Sequence, residues 1–163
     1  MKILFIDIDG VLNTTSTRNP RKFPYVAEKK FVVRLKKLLV ACRAKAVLMS
    51  TWRYDPAGLF SARYHGIPFI GCTPDLPHKA RCAEILTWVR SHPKVTRYAV
   101  LDDEDDGLDE LPLFQPDPRH GLTPEIARAI KAFLDGRTEH DMRRNMVERL
   151  ASKVVNAVKG HPG

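Results

Sequence analysis

Apolar residues along the chain fall into short runs of two different periods. Ile3 to Ile8 is a compact apolar run that closes in acids, and it predicts a buried strand. Phe31, Leu35, Leu38, Leu39 and Cys42 recur at helical spacing and predict a helix over about 27–43 with one apolar face. Ala46 to Ser50 predicts a second strand, and Ile67 to Gly71 a third that Pro68 confines to an edge or an end of the sheet. Cys82, Ile85, Leu86 and Val89 mark a further helix face, Tyr98 to Asp102 a fourth strand and Leu113 to Gln115 a fifth. Thr123 and Pro124 supply the N-cap and first-turn proline of a helix through Leu134. Strands separated by helices imply an α/β fold, a Rossmann-like parallel sheet of about five strands with helices on both faces. Beyond Gly136 the alternation stops, and Val147, Ala151, Val154, Val155 and Val158 predict one more amphipathic helix. The expected organisation is one α/β domain over 1–135, with a helical extension over 136–163 packed on it.

A chain of 163 residues with 44% hydrophobic residues can bury a continuous core without disulfides, which fits a single domain. No uninterrupted apolar run exceeds five residues (38–42), far below the roughly 20 that span a bilayer. At the start, Asp7 interrupts the apolar residues before a signal-peptide core of ~7 to 15 residues can form, so a cytoplasmic protein is expected. The three cysteines, Cys42, Cys72 and Cys82, make no CxxC pair and suit a reducing compartment. Zinc held by Cys72, His78 and Cys82 is a weak alternative, because the spacing matches no known ligand pattern.

The net charge of +8 is unevenly spread. Arg18 to Lys45 holds ten basic residues and one acid, Glu28, whereas Leu101 to Asp117 holds eight acids and no Lys or Arg. The basic stretch reads either as a solvated helix face or as a surface that attracts a polyanion. The acid cluster reads either as a solvated loop or, because it follows an apolar strand directly, as ligands to a cation.

In an open parallel sheet, ligands bind beyond the carboxyl ends of the strands. The first strand ends Asp7-Ile8-Asp9-Gly10-Val11-Leu12-Asn13, two carboxylates followed by a glycine that permits a tight exit. Carboxylates this close repel each other, and without a cation one of them loses its charge. The fourth strand ends Leu101-Asp102-Asp103, and the expected fold makes these two strands neighbours. Hard oxygen ligands with open positions suit magnesium meeting a phosphate.

These motifs resemble the haloacid dehalogenase (HAD) superfamily of phosphotransferases over about residues 1–135. An apolar strand running into DxDG matches Phe5 to Leu12, a strand ending in a hydroxyl residue matches Val47-Leu48-Met49-Ser50, and a strand running into paired acids matches Val100 to Asp103. The basic residue near a helix start matches Lys79 or Arg81. Asp7 to Asn13, Ser50-Thr51-Trp52-Arg53, Glu84-Ile85 with Trp88, Leu101-Asp102-Asp103 and Gly121-Leu122-Thr123 resemble more narrowly the HAD domains of Swiss Army Knife RNA repair proteins.

The resemblance implies a phosphatase in which Asp7 is the nucleophile that forms an aspartyl-phosphate, and Asp9 the general acid and base. It implies Mg2+ held by Asp7, the Asp9 carbonyl and Asp102 or Asp103, with Ser50 hydrogen-bonding a phosphate oxygen. Lysine is usual in the third motif. Lys79 has that chemistry, but Arg81 has the better register with Glu84, Ile85 and Trp88, and an arginine there grips phosphate differently. Gly10, Thr51, Trp52 and Arg53 are candidate substrate contacts. Trp52 is either core packing or a platform for a base, and Arg53 either binds a second phosphate or pairs with the acid cluster. The segments Asn13 to Tyr25 and Thr73 to His78 are too short for a cap domain, so an open site is expected. An open site and a basic surface point to an RNA or DNA end as substrate, with association with other repair enzymes as a further expectation. A phosphatase of nucleotides or other small phosphomonoesters, and a non-catalytic nucleic-acid- or partner-binding domain, are the alternatives.

Overall fold

Four parallel strands form the centre of the fold in the spatial order β2 (Ala44–Leu48), β1 (Lys2–Ile6), β3 (Arg97–Leu101), β4 (Leu113–Phe114). The computed structural model describes residues 1–137. Side chains of β1 alternate between two cores, as a strand's period of two demands. Leu4 and Ile6 join the cluster that includes Phe31, Leu35, Leu38, Ile130 and Leu134, while Ile3 and Phe5 join Val47, Ile85, Trp88 and Val100. Helices α1 (Lys29–Cys42) and, late in the chain, Pro124–Leu134 therefore cover one face of the sheet, and Arg81–Arg90 covers the other.

Between β2 and the Arg81–Arg90 helix lie a 3-10 turn, Thr51–Tyr54, and α2 (Pro56–Tyr64), which the apolar periodicity did not predict. The local signal is capping: Asp55 accepts a hydrogen bond from Ala57 N at 2.8 Å, and Pro56 occupies the first turn. The helices Arg81–Arg90 and Pro124–Leu134 are then α3 and α4. Thr123 Oγ1 accepts from Ile126 N at 3.3 Å and starts α4.

The sheet is parallel, and the expected strand over Ile67 to Gly71 is where it departs from about five strands. That segment makes only an isolated bridge, Leu48 with Cys72, although Ile70 N donates to Ala46 O and Leu48 N to Gly71 O, both within 3.0 Å. Pro68 has no N–H to give and Pro74 closes the other end, so too little chain is left for a ladder. β1 also stops at Ile6, not Ile8, after which Ile8, Val11 and Leu12 are buried within the loop. The helical extension expected beyond Arg137 lies outside the described residues. Among the described residues no helix is long and apolar enough to cross a membrane.

Candidate active site

Register places the site. Ile6 pairs with both Leu48 and Leu101, so Asp7, Met49 and Asp102 leave three adjacent strands side by side. Asp7 N donates to Leu101 O at 2.9 Å and Met49 N to Ile6 O at 3.0 Å, which carries the ladder one bond further on each side. Asp7 is 7% exposed, Asp102 1% and Ser50 0%. The Ser50 hydroxyl favours the charged form of the Asp7 carboxyl, and its Oγ accepts from Trp52 N at 3.4 Å.

One carboxylate oxygen each of Asp7, Asp102 and Asp103 lies within 4.8 Å of the others. Gly10 makes the third position possible: a Cβ there would fall 2.1 Å from Asp103 Oδ2, and its φ of +64° is one that side chains disfavour. Burial, followed by the charge of Asp102, pushes the Asp7 carboxyl up to about 7, against the pull of Arg81 and Ser50. Burial likewise raises Asp102, although the Glu104 amide and Arg81 oppose it, and raises Asp103, where Asp102 adds to the effect.

Arg81 answers part of this charge. It opens α3, its Nη1 donates to Asp102 Oδ2, and the same nitrogen stands 4.0 Å from Asp7 Oδ1. Its Nε is 3.6 Å from Asp106 Oδ2. Burial works against the guanidinium's charge, but Asp102 and Asp7 outweigh it and raise its pKa. One guanidinium among three close carboxylates leaves an excess of negative charge, and every donor is a hard oxygen. That set fits a divalent cation such as Mg2+, which would offset the burial and the repulsion that raise the Asp7 pKa. Among the described residues this is the one group of three such ligands, and Cys72, His78 and Cys82 do not converge. Lys79, the other candidate for the basic position, is exposed.

Asp9 sits at the rim with both oxygens held. Trp52 Nε1 donates to Oδ2 at 2.9 Å and Asn13 Nδ2 to Oδ1 at 2.8 Å. Asn13 is itself fixed, accepting from Gly10 N at 2.9 Å and donating to Val26 O at 2.8 Å. Two of the candidate substrate contacts, Trp52 and Arg53, have protein partners. Trp52 is 2% exposed and meets Tyr25 edge-on at 5.0 Å, so its ring is enclosed and offers no base platform. Arg53 makes no ion pair with the acid cluster of 101–117. Its side chain, 4% exposed, pairs with Glu84 Oε2 at 2.5 Å and donates to the carbonyls of Met49 and Ser50. Glu84 Oε1 in turn accepts from Leu76 N at 3.2 Å. Thr51 is exposed at the start of the 3-10 turn. Sequence reasoning gave no role to Asn13, Tyr25 or Glu84. The first and last lie inside recognisable motifs; Asn13 bonds Asp9 and Gly10 close by in the chain, whereas the Arg53 partner of Glu84 is 31 residues away.

A parallel α/β sheet with acids at the ends of two neighbouring strands, a hydroxyl at the end of a third and a cation from the next helix defines a HAD-like domain. The model of the family described as the HAD domain in Swiss Army Knife RNA repair proteins matches residues 3–127, and the chain belongs to that family. No curated protein and no solved structure matches the chain.

Proposed function

We propose that residues 1–135 form a magnesium-dependent phosphatase that hydrolyses a phosphomonoester through an aspartyl-phosphate, acting on a nucleic-acid end in RNA repair. The observation that carries this reading is the buried Asp7 carboxylate, set between Ser50 and the Asp102/Arg81 pair at the carboxyl end of β1. A carboxylate oxygen of Asp7 attacks phosphorus, and the bond from phosphorus to the leaving oxygen breaks. Asp9, held in one orientation by Trp52 and Asn13, gives that oxygen a proton. In the second half Asp9 takes a proton from water as the water oxygen attacks the aspartyl-phosphate, which releases phosphate and restores Asp7. Ser50 donates to a phosphoryl oxygen, and Arg81 balances charge on Asp7 and the transferring group. Asp7, the Asp9 carbonyl and Asp102 or Asp103 would hold Mg2+, which would supply the positive charge that lets an anionic nucleophile approach an anionic phosphate.

Two observations support a large substrate. The segments 13–26 and 73–78 contain no helix or strand, so neither builds a cap over the site. The family is one of RNA repair proteins. The test is phosphate release, with and without Mg2+, from 3′- and 5′-phosphorylated oligonucleotides, a mononucleotide and p-nitrophenyl phosphate, for wild type and Asp7→Asn. Magnesium-dependent release that prefers an oligonucleotide and is abolished in the variant is expected. Equal turnover of mononucleotide and oligonucleotide, insensitive to salt, would move the assignment to small phosphomonoesters. No release from any substrate would overturn the catalytic reading.

A further inference from the structure

Helix α2 carries two aromatic side chains that the fold does not use. Its buried side, Gly58 and Ala62, packs inward, and a Cβ at Gly58 would sit 2.4 Å from Trp52 O. Phe60 and Tyr64 point the other way, one turn apart, 69% and 78% exposed. Their rings stack on each other, 6.3 Å between centroids at 19°, and His65 supports Tyr64 edge-on at 5.7 Å. Two large stacked rings in water cost solvation without adding to the core, which marks a surface that meets a partner.

The charge around them limits what that partner is. From Lys29 to Pro74 the chain carries nine Lys and Arg and one carboxylate, Asp55. Asp55 is already engaged by the Tyr25 hydroxyl at 2.5 Å and the Ala57 amide at 2.8 Å. This segment builds α1, the edge strand β2 and α2, so, with Arg53 set aside because it is buried against Glu84, the flank keeps a surplus of positive charge. The Lys36 ammonium reaches from α1 to α2's end, where a Cβ on Gly66 would lie 3.0 Å from its Nζ. Arg63 is exposed between the two aromatics in sequence. A second copy of this chain would bring a net charge of +8 to the same face, which opposes self-association.

We infer that the outer face of α2, with Phe60 and Tyr64 as stacking rings and Lys36 and Arg63 as phosphate contacts, binds the bases of a single-stranded nucleic acid. Only unpaired bases expose the π-faces that such rings take, and exposed cations beside them track the backbone. The inference rests on the nucleic-acid reading of the active site and adds the place where the strand is gripped. The connection to that site is short: Asp55 caps α2 and holds Tyr25, Tyr25 meets Trp52, and Trp52 donates to Asp9. At 1.5 Å rise per residue, Phe60 and Tyr64 lie about 6 and 12 Å along the helix from Pro56.

The test is fluorescence anisotropy of a labelled, 3′-phosphorylated single-stranded RNA ten-mer and of its duplex, with wild type, Phe60→Ala/Tyr64→Ala and Lys36→Ala. Because both rings are exposed, the double variant is expected to keep its circular dichroism spectrum and Tm. Single-strand affinity should fall at least about 10-fold in the double variant and about 2- to 5-fold in Lys36→Ala, with turnover of p-nitrophenyl phosphate unchanged. Unchanged single-strand affinity would overturn the inference, as would an equal loss for the duplex. A concentration-dependent dimer in sedimentation that the double variant abolishes would also overturn it. Failure of the phosphatase reading looks different: wild type would release no phosphate while the anisotropy difference persisted.

Discussion

Beyond the ends of β1 and β3, acidic side chains are buried against one another, whereas on the β2 flank basic side chains stand apart in water. Asp7 and Asp102 share a low-dielectric space with Ser50, and one half-buried guanidinium answers part of their charge. Lys29, Lys36 and Lys37 are exposed along one side of α1, a helix with no carboxylate of its own. In the first region burial, and after it the repulsion from Asp102, acts with little screening by salt, and together they show as the raised pKa of Asp7. In the second region repulsion is weak, and the attraction for a polyanion fades within a Debye length. The site thus stores a demand for a cation, while the flank spreads a modest attraction over a wide surface.

The buried region breaks most visibly at its strut. Arg53→Met leaves Glu84 buried without its partner and frees the Met49 and Ser50 carbonyls, and urea unfolding should show a loss of about 4 kcal/mol. The double variant Arg53→Met/Glu84→Met should recover a large part of that, because no buried charge is then left alone. Next is the sign of the Asp7 effect. Its folded pKa is raised, so without metal the folded protein binds the extra proton between the unfolded value near 4 and about 7. Stability from this group is therefore highest below pH 4, falls as pH rises through that window, and is flat above it. Asp7→Asn should stabilise metal-free protein by on the order of 3 kcal/mol at pH 8, and the gain should vanish at pH 4. A gain that persists at pH 4 would mean that burial of the charged carboxylate beside Asp102 is not its source.

Gly10→Ala adds a Cβ where Asp103 Oδ2 lies and forces alanine to a positive φ. A loss of about 2 kcal/mol is expected, with a smaller rise in Tm on adding Mg2+ than in wild type. The smallest effect separates orientation from packing at Asp9. Trp52→Phe keeps an aromatic ring against Tyr25 but removes the Nε1–H that holds Asp9 Oδ2. The kcat for an oligonucleotide should fall about 10-fold, equivalent to about 1.4 kcal/mol in the barrier, with Tm changed by only a few degrees.

The parts of the fold legible in the sequence are those written in one segment at a time. The periods of Ile3 to Ile6 and of Phe31 to Cys42 identify β1 and α1 because burial of one face demands them. Asp7 and Asp102 are readable as strand-end acids for the same reason. α2 escaped because only Gly58 and Ala62 are fully buried, with Leu59 packed partly against the core, too few apolar positions to give a period, and its real signal was the Asp55-Pro56 cap. Trp52 and Arg53 left two readings open each because their neighbours come from elsewhere: Asp9 is 43 residues from Trp52, and Glu84 is 31 from Arg53. A side chain's type tells what it can bond, but the fold decides whether a partner in the protein has already taken that bond.

The central claim, that Asp7 attacks phosphorus, is tested most directly by trapping its acyl phosphate. Wild type is mixed with a 3′- or 5′-phosphorylated oligonucleotide and Mg2+, quenched in borohydride, which reduces an acyl phosphate to an alcohol, and mapped by peptide mass spectrometry. Reduction at residue 7, dependent on substrate and on Mg2+ and absent from Asp7→Asn, is the predicted result. An unmodified Asp7 in protein that is releasing phosphate, or an Asp7→Asn variant that turns over as fast as wild type, would contradict it.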